Sequence, residues 1–342
     1  MGTSIISKYL LKNCEGLSKK VDGDKFILDG CFCKTISSLF DVVVDCGLYD
    51  QATNGEGNEK KKINAIYSSS LQSLLIFSKV SPDHPISIYG VPYTEVHFEY
   101  KNAVITEPSS IDVVLSNREG RFLFIESKLT EILDSNDSGC PEVGPGYLSN
   151  HMNGYGKLGL DLMDLKEIGI KIPDGIKQED LYTQSRSGIK KKLGSLDEEF
   201  KKNGKLIICP IGKNKYVYSY GIKQILSHII GIMNINEPEK DKRADGYLKT
   251  RVVLEKEKTA FLSTYNAFPK FDPEYSEEVR EKLYDFKTHE LEIVKILKNR
   301  KKVPFSLYEP LSYQEIYEDN LEYFGNMPEV VKFYHLDEGE SC

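Results

Sequence analysis

Two apolar runs, "SSIDVVL" (Ser109–Leu115) and "RFLFIESKL" (Arg121–Leu129), constrain this chain more than any other feature. Both read as buried β-strand, and the intervening "SNREG" has the composition of a hairpin loop. Yet the runs carry Asp112, Glu126 and Lys128. An ionised side chain in a dry interior is costly unless it is paired or bound to something. Strand alternation points Glu126 and Lys128 the same way. A hairpin loop of three or five residues sets Asp112 directly opposite Glu126, and Ser110 opposite Lys128. A loop of four would put the two acids on opposite faces. The charges therefore require an odd loop or a bulge.

Two facing carboxylates repel, and one is driven to a raised pKa unless a cation separates them. A hard divalent ion does this with carboxylate and carbonyl oxygens, and the Ser127 carbonyl is placed to be a third ligand. Lys128 adds a point charge suited to orienting a water and offsetting charge that develops on a phosphate. A metal beside a lysine suits phosphodiester hydrolysis.

Around the hairpin, periodicity outlines an α/β fold with a mixed sheet. "NAIYSSSLQSLLIFSKV" reads as a helix and "YTEVHFEYKNAVI" as a half-buried strand before the hairpin. "GIKQILSHIIGIM" carries Ile222, Ile225, Leu226, Ile229, Ile230 and Met233 at helical spacing. One or two strands in "YLKTRVVLEKEKTAFLSTY" follow. The order is helix, three strands, an insertion at about 132–215, helix, strand, spanning residues 61–268. Residues 1–60 read as an N-terminal accessory segment ending in the polar linker "DQATNGEGNEKKK". Residues 269–342 read as a charged, helical segment with an acidic tail.

Asp112 followed by Glu126-Ser127-Lys128 in the next strand resembles the signature of the PD-(D/E)xK nuclease superfamily, which includes type II restriction endonucleases. The resemblance covers roughly Asn64 to Tyr265 less the insertion. It departs at Ile111, where the signature has Pro. It implies a restriction-endonuclease-like core and a hydrolase, a magnesium-dependent endonuclease acting on DNA, with Mg2+ (or Mn2+) held by Asp112 and Glu126 and a water assisted by Lys128. Such sites often add an acid from the preceding helix or strand, here Glu99 with Glu95 behind it. Gln72, Gln224 and His228 are candidates to stand around the metal or the DNA. A competing reading is a nuclease-fold module without catalysis that binds DNA or a protein partner. Glu-x-Lys alone carries little weight, since "EKK" recurs at Glu59–Lys61 in the polar linker.

The formal net charge of −7 argues against a general nucleic-acid coat protein. The distribution is uneven, with ten Lys or Arg against three acids between Arg186 and Lys223. Arg186, Lys190, Lys191 and Lys192 within it could follow a phosphate backbone. A solvated helix face accounts for them as well. Cutting both strands of a duplex often uses two sites, which admits a homodimer. The residues do not distinguish DNA from RNA.

No apolar run approaches the length of a membrane span, and "MGTSIISKYLLKNCEGL" lacks the parts of a signal peptide. A cytoplasmic location is the expectation. Seven scattered cysteines argue against a disulfide framework. Cys31 and Cys33 in "GCFCK" stand too close for a Cys-x-x-Cys knuckle, and no matching pair follows. They read as reduced structural or incidental thiols.

Overall fold

The computed structural model describes residues 3–12, 14–54, 59–103, 108–133, 220–235, 254–300 and 303–339, with short pieces at 142–143, 161–167, 174–177, 191, 194–196, 198 and 206–207. At its centre is a mixed six-stranded sheet. Strands β1 (Glu95–Ala103), β2 (Pro108–Ser116) and β3 (Phe122–Lys128) form an antiparallel meander. Strand β4 (Thr259–Tyr265) lies parallel to β3, and two short strands, β5 (Ser306–Leu307) and β6 (Leu311–Ser312), pair in parallel with β4. Every residue of β4 is buried, which is the state of a central strand covered on both faces.

The β2–β3 ladder closes at Ser116↔Phe122, leaving a five-residue loop. The odd count that the buried charges require is therefore present. Asn117 shapes the turn, its side-chain oxygen accepting from the amides of Glu119 and Arg121, and Gly120 supplies the left-handed residue at φ 73°.

One face of the sheet is covered by α1 (Thr3–Leu11), α2 (Phe32–Phe40), α3 (Cys46–Ala52), α4 (Ser69–Phe77) and, from the other end of the chain, the short helices that follow β6. Ile36, Phe40, Leu71, Leu74, Val113, Ile125, Leu262 and Phe333 share this apolar cluster. Segments at both ends of the sequence thus enter the same core as the sheet. Helix α4 starts where Ser68 accepts from the Leu71 amide, a side-chain N-cap. The other face is covered by α5 (Tyr220–Asn234) and α6 (Ser276–Arg300), which pack Ile225, Ile229, Ile293 and Leu297 on Phe124 and Phe261. Each such side chain contributes about 1.5–3 kcal/mol by leaving water. In chain order the elements around the hairpin run α4, β1, β2, β3, α5, β4, with a small hairpin, Ile86–Ile88 with Val91–Tyr93, between α4 and β1. Among the described residues, no helix is long and apolar enough to cross a membrane.

Candidate active site

The β2–β3 ladder runs from Ser116↔Phe122 to Val113↔Ile125 and stops. One step further the same register brings Asp112 across from Glu126, and there the Ser127 amide donates to Asp112 Oδ2 at 2.6 Å. Strand β1 is irregular at the same level. The pairs Phe98↔Val113 and Tyr100↔Ile111 bracket Glu99 and Asp112, and Glu99 has φ 47°. A left-handed non-glycine residue costs on the order of 1–3 kcal/mol. The consequence shows in the packing. Phe98 and Val113 join the cluster on the α4 side, whereas Tyr100 and Ile111, two residues along each strand, join the one under α5 and α6. Alternation slips by one residue at Glu99 and Asp112, so the acids occupy the one place where neither face is regular.

Beside this slip, Glu126 is bound from two directions. Lys128 Nζ pairs with its Oε1, and His228 Nε2 from α5 stands 2.7 Å from its Oε2. All three residues are at most 4% exposed, so the ion pair and the ring are desolvated together. Burial pushes the Glu126 carboxyl up, but the Lys128 ammonium and the His228 ring outweigh it and hold it at about 2. Asp112 goes the other way. Burial first, and then the Glu126 and Glu99 carboxylates, push it well above the usual carboxylate range, against the pull of Lys128 and the Ser127 amide. Two acids in neighbouring strands are driven apart in acidity by their surroundings, as paired acids with different roles commonly are.

The next strand extends the row. Ser263 of β4 is in register with Glu126, and its hydroxyl donates to Glu290 Oε2 of α6 at 3.0 Å. Glu290 is buried, and desolvation raises it to about 8 despite the Ser263 hydroxyl and Lys128, with Glu126 pushing the same way as burial. Sequence reasoning passed over this acid, because "THELEIV" resembles a charged surface helix. The available signal was its spacing, since Glu290 falls at helical intervals among Phe286, Ile293 and Leu297, all of them buried.

An acid raised from 4.5 to about 8 takes up a proton on folding, so it lowers stability as pH rises between those values, by roughly 1.4 kcal/mol per pH unit. Urea unfolding at pH 5 and pH 8, without divalent metal, should show this slope in the wild type and its loss in Glu290→Gln. Equal slopes in the two proteins would mean that Glu290 is not held protonated.

Ser127 is fixed from the opposite side, where its hydroxyl lies 2.6 Å from the Tyr313 hydroxyl. Tyr313 opens α7 (Tyr313–Glu318) and is pushed up to about 12 by burial, against the hydrogen bond with Ser127. The other candidates are placed as follows. Glu99 is buried at the slip, while Glu95 is exposed and accepts from Ser116 at 2.9 Å. Gln72 is fully buried in α4, and its amide finds no hydrogen-bond partner among the described residues. Lys191 is exposed. The Gln224 side chain, Arg186, Lys190 and Lys192 lie outside the described residues.

Glu99, Asp112 and Glu126 do not bring one oxygen each within 4.8 Å of one another. Among the described residues, the set of His, Cys, Asp or Glu side chains that is this tight is Cys31, Cys33 and Cys46. A cleft lined by Lys12, Lys20, Asp41, Tyr317, Lys332 and Glu338 includes none of the strand acids. Comparison with protein-family models, curated proteins and solved structures found no match.

Proposed function

We propose that the chain is a metal-dependent nuclease hydrolysing phosphodiester bonds of DNA, built on the plan of the PD-(D/E)xK, restriction-endonuclease-like enzymes. The observation that carries this reading is the slip in the sheet that brings Glu99, Asp112 and Glu126 to one level, with Lys128 paired to Glu126 beside it. The chain order α4, β1, β2, β3, α5, β4 and the parallel placement of β4 on β3 support it.

The donor set suits magnesium or manganese. Asp112 and Glu126 would be the principal ligands with the Ser127 carbonyl, and Glu99 would join them only through a side-chain movement, since the three acids do not stand within 4.8 Å of one another. Asp112 is raised by burial first and then by the Glu126 and Glu99 carboxylates, and a divalent cation would offset both effects. When bound, the ion supplies Lewis acidity at the phosphate and a water that ionises near neutral pH. The rest is the work of the chain. Glu126, held at about 2, stays ionised at every working pH. His228 fixes one of its oxygens and so its orientation. Lys128, beside Glu126, would place a positive charge for the attacking water and for the charge growing on the phosphate.

One observation favours the alternative, a module that binds DNA or a protein partner without catalysis. Glu126 is already paired with Lys128, and His228 Nε2 stands 2.7 Å from its other oxygen, so the charge of this acid is balanced within the chain. Cleavage of supercoiled plasmid and of short single-stranded DNA separates the readings, with wild type, Asp112→Asn and Lys128→Ala compared in magnesium, manganese and EDTA. Metal-dependent cutting that disappears in both variants supports the nuclease. Intact substrates together with no metal binding at the strands would favour the module.

A further inference from the structure

We propose that Cys31, Cys33 and Cys46 form a mononuclear zinc site, separate from the carboxylates of the sheet. Their three Sγ atoms lie within 4.8 Å of one another. Thiolates on one tetrahedral zinc, at about 2.3 Å from the metal, stand roughly 3.8 Å apart. A small movement of the two surface thiols therefore closes the set on an ion. Pairing into a disulfide would use two of the three and leave the third without a reason to be there.

The fold holds the thiols by independent devices. Cys31 is the N-cap of α2, Cys33 sits in the first turn of the same helix, and Cys46 is the first residue of α3. The start of α2 and the start of α3 thus bring the three sulfurs together. Asp45 caps α3 by accepting from the Gly47 and Leu48 amides, which sets the start of that helix beside Cys46. Phe32 of α2 stacks on Tyr49 of α3 with ring centroids 4.4 Å apart, locking the helices together. Cys33 is buried beneath, while Cys31 and Cys46 are exposed, so an ion has a path in from solvent.

Under this proposal Cys31 and Cys33 are ligands rather than incidental reduced thiols, and what joins them is Cys46, whose approach spacing along the chain does not reveal. Sulfur selects a soft ion such as zinc and has little affinity for magnesium or manganese, so the two sites do not compete. Binding is not a redox step. Zn2+ forms three Zn–S bonds, each thiol that was protonated releases its proton, and no electron moves. Three protein ligands leave the fourth corner of the tetrahedron open, as in zinc sites that bind a water or an incoming group.

The test uses reduced, metal-free, full-length protein titrated with Co2+ and then Zn2+ against a competing chelator. One equivalent of Co2+ should give a sulfur-to-cobalt charge-transfer band that zinc abolishes. Outer-shell partners of zinc ligands are worth 10–100-fold in affinity, so losing a ligand should cost on the order of 100-fold or more. Cys31→Ser and Cys46→Ser, both at exposed positions, should each show that loss, whereas Asp112→Asn should leave zinc affinity unchanged. The proposal is overturned by no stoichiometric uptake in the reduced protein, or by uptake that both serine variants retain.

Discussion

Lys128→Met is expected to lower folding stability by about 3–5 kcal/mol, the usual cost of removing one partner from a buried ion pair. Methionine keeps most of the volume of the lysine stem, so the loss would come from the charge and not from a cavity. What remains is Glu126, 2% exposed, facing His228 alone. The pH dependence gives the origin of the effect. In the wild type, Glu126 is depressed from 4.5 to about 2. Its contribution is therefore fully present above pH 4.5 and is lost only as pH falls through about 2. Without Lys128 the carboxyl rises, and once it passes 4.5 the sign reverses, so the variant recovers stability as pH is lowered from 7 towards 5. Urea unfolding at both pH values, together with the double variant Glu126→Gln/Lys128→Met, checks this. The double variant should regain part of the loss, because no uncompensated charge is left behind. A single-variant cost below about 1 kcal/mol, the worth of an exposed pair, would show that Lys128 and Glu126 are not buried together.

Asp112→Asn is expected to separate activity from stability. Under the nuclease reading it removes a metal ligand, and metal stabilisation of the transition state is worth several kcal/mol. At 1.4 kcal/mol per factor of ten, that predicts a loss of roughly a thousandfold in magnesium-dependent cleavage. Stability should be equal to the wild type or higher. Asparagine keeps an oxygen to accept from the Ser127 amide, and it removes a carboxyl whose charged form is opposed by burial first and then by Glu126 and Glu99. Single-turnover cleavage and thermal unfolding of the same preparations test both halves. A variant that cleaves normally would remove Asp112 from the chemistry. One that is inactive only because it unfolds would make its role structural.

How far these sites were legible differs residue by residue. Glu126 and Lys128 stood out because two charges interrupt a run that otherwise has every mark of a buried strand. Asp112 could be matched to them by parity, since the side-chain period of two turns loop length into a statement about facing. His228 was nameable as one turn from Gln224, but its contact with Glu126 depends on how α5 lies on the sheet. Glu290 was hidden because one acid among many on a charged helix gives no local sign of burial, and only its interval from Phe286 and Ile293 hinted at it. The left-handed Glu99 could not be foreseen, because strain of this kind is imposed by the surrounding packing.

What this sequence determines by itself is local and periodic. It sets which runs are strands, that the hairpin needs an odd loop or a bulge, and that three charges interrupt runs otherwise fit for a dry interior. These follow from alternation and from the cost of desolvating a charge, and both act within a few residues of chain. Tertiary structure alone decided the partners. It brought His228 and Glu290 down onto one row of the sheet, carried Tyr313 from far along the chain to Ser127, and moved Cys46 beside Cys31 and Cys33. Those contacts join residues distant in sequence, and they form only when apolar faces with no preference for a particular charged neighbour have packed.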